Sequence, residues 1–174
     1  MVSGEVLRVG VHFLPSITLF HPLINGLGGN ICAVQASRIS TRLHKDSKRK
    51  RDGRPLATFA WPQRAFLGPD AEAVTCRLLM AISIPLHLCA WLSICLLESA
   101  SPSIILCLSY LLPAVIQVAI LLYVCQLLIR LLWFYRVDPD STGIPLLTAL
   151  GDLIGTVLLS LSFFIVNVNF EQSV

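Results

Sequence analysis

Charge is scarce in this sequence. Only 13% of its 174 residues are charged, about half the share of a soluble domain, and the mean hydropathy is +0.76. Those values exclude an ordinary soluble fold and point to an integral membrane protein. The cations are also badly distributed: Arg38, Arg42, Lys45, Lys48, Arg49, Lys50, Arg51, Arg54 and Arg64 crowd one stretch and leave the rest nearly charge-free. No CxxC spacing links Cys32, Cys76, Cys89, Cys95, Cys107 and Cys125. They lie in or beside apolar segments and read as small hydrophobic side chains, not as a zinc site or disulfide framework. The leader contains Glu5 and no clean small-residue cleavage site follows it, so a signal peptide is not expected.

What the chain does have is apolar length. Residues 73–97, 103–129 and 144–166 each reach the roughly 20 residues that a spanning helix needs. The short 99–102 link makes the first two an antiparallel hairpin. Residues 137–143 turn the chain into the last span, with Asp140, Ser141 or Thr142 as candidate N-caps. An earlier segment, 10–36, is long enough to cross but carries Pro15, Pro22, Gly26, Gly28 and Gly29. Proline removes a backbone donor and glycine loosens a helix, so this crossing is expected to be kinked or broken and to face protein or a water-filled cavity. The fold class is therefore an all-α membrane bundle of about four helices in a single domain. The positive-inside rule makes the basic loop, residues 38–70, cytoplasmic and external to the bundle. "KDSKRKRDGR" could in principle bind nucleic acid, but beside a span it serves as a topology anchor that can touch anionic lipid. No nucleic-acid partner is expected.

One residue resists a structural reading. Asp152 lies about 12 Å into its span, near the midplane of a roughly 30 Å core. An acid there costs at least about 2.5 kcal/mol on insertion scales. Thr148, Asp152, Thr156 and Ser160 recur every four residues and form one polar stripe. Gly151 and Gly155 form a small-xxx-small pair beside it. A structural acid paired with Arg130 or His87 is the bland alternative; an acid lining an ion path is favoured. His87, Ser109 and Gln117 read as interhelical packing groups, Ser109 and Gln117 flanking a kink at Pro113. A carboxylate among hydroxyls, amides and carbonyls suits a hard cation such as Mg²⁺, which keeps much of its water. Asn25, Asn30, Gln35 and glycine-freed carbonyls of the broken segment could supply further oxygens. These donors do not by themselves exclude Na⁺, H⁺ or other divalent ions.

"HPLINGLGGNICAVQASRIST" (21–41) and "DPDSTGIPLLTALGDLIGT" (138–156) resemble the two signature stretches of the MgtE-type magnesium transporters, whose animal branch is solute carrier family 41. The "IPLHL" around His87 agrees as well, and the resemblance runs over about residues 21–166. It implies a five-helix membrane domain acting as a homodimer or as paired homologous repeats, with the pore between the halves in the cell membrane. Mg²⁺ is then cargo, and no cofactor or enzymatic activity is implied. The family's pore acid matches Asp152, and its glycine-asparagine-glutamine signature matches Gly29, Asn30 and Gln35. The loop acids match Asp138 and Asp140. The implied metal-contacting set is Asp152, Asn30 and Thr148, with Gly29, Gln35, Thr156, Asp138 and Asp140 along the path. The family's first helix and a second repeat are missing from the pattern, residues 1–20 do not match, and Gln126 stands where an acid is expected. A non-transporting subunit that pairs with a full-length relative is therefore the second reading. A third is an intramembrane aspartyl protease, since "ALGDLIG" echoes a Gly-x-Gly-Asp motif. That chemistry needs two facing carboxylates, and no other acid lies deep in a span.

Overall fold

Apolar length becomes helix wherever the backbone must satisfy itself away from water. The structure, a computed structural model, describes residues 17–49, 62–97 and 103–171. Residues 10–16 of the first expected crossing, 50–61 of the basic loop and the 98–102 link lie outside the described residues. The described residues form five helices: α1 (Ile17–Arg49), α2 (Pro62–Leu67), α3 (Ala71–Leu97), α4 (Ile104–Phe134) and α5 (Pro139–Glu171). Among them α3, α4 and α5 are long and apolar enough to cross a membrane.

Helix α1 falls short of that standard yet sits at the heart of the bundle, packed on α3, α4 and α5. Phe20, Ile24, Ile31, Cys32, Ala36 and Ile39 are buried along it, as are the polar Asn25, Gln35 and Ser40. The face of α1 turned to these helices does not meet lipid, so polar groups on it can seek partners instead of being excluded. The expectation of a broken first crossing is corrected here. Helix α1 runs unbroken through Pro22, Gly26, Gly28 and Gly29, and no described glycine has a positive φ. Gly28 serves close packing, because a Cβ there would sit 3.0 Å from the Gln117 amide.

The basic segment also departs from expectation. It does not lie wholly outside the bundle: α1 continues helically to Arg49, burying Ile39 and Leu43 against α4 and α5. Helix α2 tucks Ala65 into the bundle as well, where its carbonyl accepts a 3.1 Å bond from Gln126. The small and aliphatic Ala65, Ile39 and Leu43 face inward while Arg38, Arg42 and Lys45 are exposed, as on an amphipathic helix.

Prolines inside α1, α3, α4 and α5 each leave a carbonyl four residues earlier without its helical donor. For Pro113 the freed carbonyl is that of Ser109, and the Ser162 hydroxyl of α5 donates to it at 2.7 Å. The α4–α5 corner is built locally. Arg136 adopts the left-handed conformation (φ 58°), while the Arg136 and Val137 amides donate back to the Trp133 and Leu132 carbonyls, a Schellman-type helix end. The N-cap of α5 is Asp138, two residues before the first of the expected candidates; its carboxylate accepts the Ser141 amide at 3.2 Å.

Candidate functional site

Helices α1 and α5 run antiparallel with a readable register. A Cβ on Gly29 would meet the Thr148 methyl at 3.7 Å, and two turns away the His21 Nε2 lies 2.8 Å from the Thr156 hydroxyl. Asp152, midway between those two threonines, is therefore level with Asn25, next to Gly26. Gly26 is exposed, with nothing within 4 Å of its Cβ position. The stripe expected along α5 dips into the bundle: Thr148 is exposed, Asp152 half-buried and Thr156 fully buried.

Around Thr156 lies a polar cluster built from three helices. Asn25 Nδ2 lies 3.1 Å from His21 Nε2 and donates to Thr156 Oγ1 at 3.4 Å. The Thr156 hydroxyl donates to the Asp152 carbonyl one turn back. From α4, Gln117 Nε2 donates to the Gly151 carbonyl at 2.9 Å. Gly155 leaves the room: a Cβ there would stand 2.3 Å from Asn25 Oδ1 and 2.5 Å from Gln117 Nε2. Within this cluster Asn25 Oδ1 and Gln117 Oε1 are buried acceptors without a donor. The Gly151/Gly155 pair thus admits amide side chains, where a close backbone was expected.

The Asp152 carboxylate has no hydrogen bond or ion pair among the described residues, although the His21 ring lies within its electrostatic reach. Both bland partners are engaged elsewhere. Arg130 pairs with Glu72 at the basic end, and His87 Nδ1 bonds the Tyr110 hydroxyl at 2.8 Å, the interhelical role expected of it. Thr148 and Gly29 come together beside the Asp152 level, and Asn30 is exposed on the neighbouring position of α1.

Gln35 does not join them. It is buried at the basic end, donating to the Glu72 carbonyl and to Cys76 Sγ, both at 3.4 Å. Nor do the glycines free any carbonyl, since α1 is continuous. Asp138 and Asp140 form a separate exposed group with His44, their ligand atoms all within 4.8 Å of one another. Hydrogen bonds from Ser141 hold the Asp138 carboxyl below its usual range, with the nearby His44 adding to the effect. Sequence reasoning missed His21 as a site residue and took Gln117 for packing alone. The signal available was an amide and an imidazole inside otherwise apolar or glycine-rich helix.

Comparison with known proteins adds an independent line. A family model described as "MgtE: Divalent cation transporter" matches residues 21–162. Solute carrier family 41 member 2 of Homo sapiens is 43% identical over 153 residues, covering 86% of this chain and 26% of that protein. Solute carrier family 41 member 3 of Mus musculus is 40% identical over 161 residues, covering 90% of this chain and 33% of the relative. The chain thus spans about a quarter to a third of the length of these curated relatives. No solved structure matches it.

Proposed function

Since the chain belongs to the MgtE family of divalent cation transporters, we propose that its helices line part of a transmembrane path for Mg²⁺, with Asp152 as the acid that meets the ion. The family comprises transporters and not enzymes, so the protease reading is set aside. The observation that carries the proposal is the half-buried carboxylate of Asp152, which has no hydrogen bond or ion pair among the described residues. A mid-span acid with no cation beside it is costly and marks a place where a cation passes.

The neighbouring groups fit the task. Thr148 and Asn30 present neutral oxygens toward the exposed side of the α1–α5 seam, beside the gap left by Gly26. Mg²⁺ sheds water reluctantly and is held through one or two carboxylates plus water and neutral oxygens. Below this outer layer, the His21, Asn25, Gln117 and Thr156 cluster fixes the Asp152 turn by bonds to its own carbonyl and to that of Gly151. Asp138 and Asp140 at the start of α5 gather cations at the mouth, on the basic and cytoplasmic side of a multi-pass protein of the cell membrane. Exposed polar positions at membrane depth need covering, which a second copy or a homologous repeat of a longer chain supplies. The part-length match to the relatives keeps a pairing, non-transporting subunit as the second reading.

Uptake of Mg²⁺ by cells or liposomes carrying the chain, alone and within its full-length parent, tests the proposal. Transport that continues undiminished with Asp152→Asn would remove Asp152 from the path.

A further inference from the structure

One ring nitrogen of the bundle is unused and lies close to Asp152. His21 stands level with Thr156, one helical turn from Asp152, and its ring feels the charge of that carboxylate. Its Nε2 lies 2.8 Å from the Thr156 hydroxyl. That hydroxyl has a single hydrogen, and the Asp152 carbonyl takes it. The Thr156 oxygen therefore accepts from His21, which puts the ring proton on Nε2 and leaves Nδ1 as a bare lone pair. Asn25 fits the same arrangement with its amide turned end for end. Its oxygen, a buried acceptor without a donor, then takes the place 3.1 Å from Nε2. Its nitrogen turns to the adjoining Gln117 amide, whose Oε1 also lacks a donor.

Nδ1 itself makes no hydrogen bond among the described residues, yet it keeps accessible surface. The same is true of the Asp152 carboxylate oxygens, and both side chains are half-buried. Gly26, next to Asn25, keeps open space on the Asp152 level. A ring with one N–H bonded and the other nitrogen bare is in the state that ligates metals. The bond to Thr156 is the outer contact that fixes tautomer and ring orientation. We propose that His21 Nδ1 and the Asp152 carboxylate form a mixed nitrogen–oxygen site for a first-row transition-metal dication such as Ni²⁺. Imidazole nitrogen suits such ions, whereas Mg²⁺ takes oxygen. The site therefore holds Ni²⁺ more tightly than Mg²⁺, and the two compete there. This inference rests on the reading of Asp152 as the acid that meets the ion, and it adds the residue that sets which ions are retained.

The test compares Ni²⁺ with Mg²⁺ on protein free of any histidine tag, at about pH 8, where imidazole is neutral. One reading is the thermal stabilisation that each ion gives the full chain in detergent micelles. The other, in the full-length parent, is the Ni²⁺ concentration that halves Mg²⁺ flux, divided by the Mg²⁺ concentration that half-saturates it. Ni²⁺ should stabilise the chain at lower concentration than Mg²⁺. His21→Gln keeps an N–H for Thr156 but removes the ligand, so the ratio should rise at least about tenfold; changes to outer contacts alone cost about 10- to 100-fold. Asp152→Asn should erase the Ni²⁺ stabilisation as well. His44→Gln, a change in the exposed group with Asp138 and Asp140, should leave the ratio where it was. The site is overturned if Ni²⁺ binds no better than Mg²⁺, if His21→Gln leaves the ratio unchanged, or if His44→Gln removes the Ni²⁺ effect as fully. A Mg²⁺ flux that needs Asp152, beside a ratio indifferent to His21, removes the site and leaves the path. Ni²⁺ stabilisation that needs both residues, beside normal Mg²⁺ flux in Asp152→Asn, upholds the site and removes the path.

Discussion

Glu72 and Asp152 are both half-buried carboxylates on long apolar helices. One is clasped by Arg130 and approached by Arg42; the other meets no cation among the described residues. At the basic end the chain has arginines to spare, so an acid there becomes structural glue between α1, α3 and α4. In mid-bundle no cation among the described residues pairs with Asp152, and the surrounding His21, Asn25, Gln117 and Thr156 bond to one another and to backbone carbonyls. Charge neutralisation is thus complete at one end and withheld at the centre. That difference separates an acid that holds helices together from the acid to which the proposed function assigns the ion.

The sharpest way to break this contrast is to remove each charge in turn. Asp152→Asn in the full-length parent should abolish Mg²⁺ flux, measured with a fluorescent indicator or by Mg²⁺-dependent growth, while membrane insertion is unchanged or improved. The amide keeps the size and one oxygen but removes the charge that offsets a partly dehydrated divalent ion, and a neutral group costs less in the membrane. Flux persisting in that variant would make the two carboxylates alike.

Glu72→Gln should do the reverse, lowering stability first. Breaking one partner of a buried pair costs about 3–5 kcal/mol. With 18% and 16% of the Arg130 and Glu72 side chains still exposed, a loss on the order of 2–3 kcal/mol is expected in thermal or denaturant unfolding in detergent. Flux per folded molecule should remain. Next in size is Gly155→Ala, which would push a methyl into Asn25 and Gln117. Overpacking of that kind costs about 1–3 kcal/mol, and it should lower the unfolding temperature while also disturbing flux, because the displaced amides support the Asp152 turn.

The smallest effect is reserved for the exposed acid at the mouth. Asp138 has its carboxyl pKa lowered by Ser141, so its contribution to stability is present above the unfolded carboxylate pKa of about 4 and fades as pH falls through the lower folded value. Melting curves from pH 7 down to 3 should show a slight acid-side loss that Asp138→Asn reduces. At neutral pH this variant should leave flux nearly intact, since asparagine also caps helices and the acid sits in screened water.

Much of the fold was legible from local pattern. The three apolar runs became α3, α4 and α5, and the four-residue recurrence of Thr148, Asp152 and Thr156 located the polar face of α5. The sequence named Asp152, Thr148 and Gly29 separately; that Gly29 and Thr148 meet is a finding of the structure. The supports of the site were not legible. Gln35 shares a signature stretch with Asn30, yet five residues of helix turn it to another face and carry it about 7.5 Å along the axis, to Glu72 and Cys76. The glycines of α1 read as breaks because glycine both loosens a helix and permits close approach. Which of these applies depends on whether a side chain such as Gln117 comes to fill the space.

By itself, then, the sequence determined the membrane class, the helical periods, the side that carries the cations and the stripe on which Asp152 stands. Those are local properties, set by composition and by a repeat of 3.6 residues within one helix. Only the tertiary structure decided that Arg130 belongs to Glu72, that His87 belongs to Tyr110, and that Asp152 meets no partner among the described residues. Partner choice depends on the rotation and axial register of one helix against another. That geometry comes from packing over many residues, with no single residue able to announce it in advance.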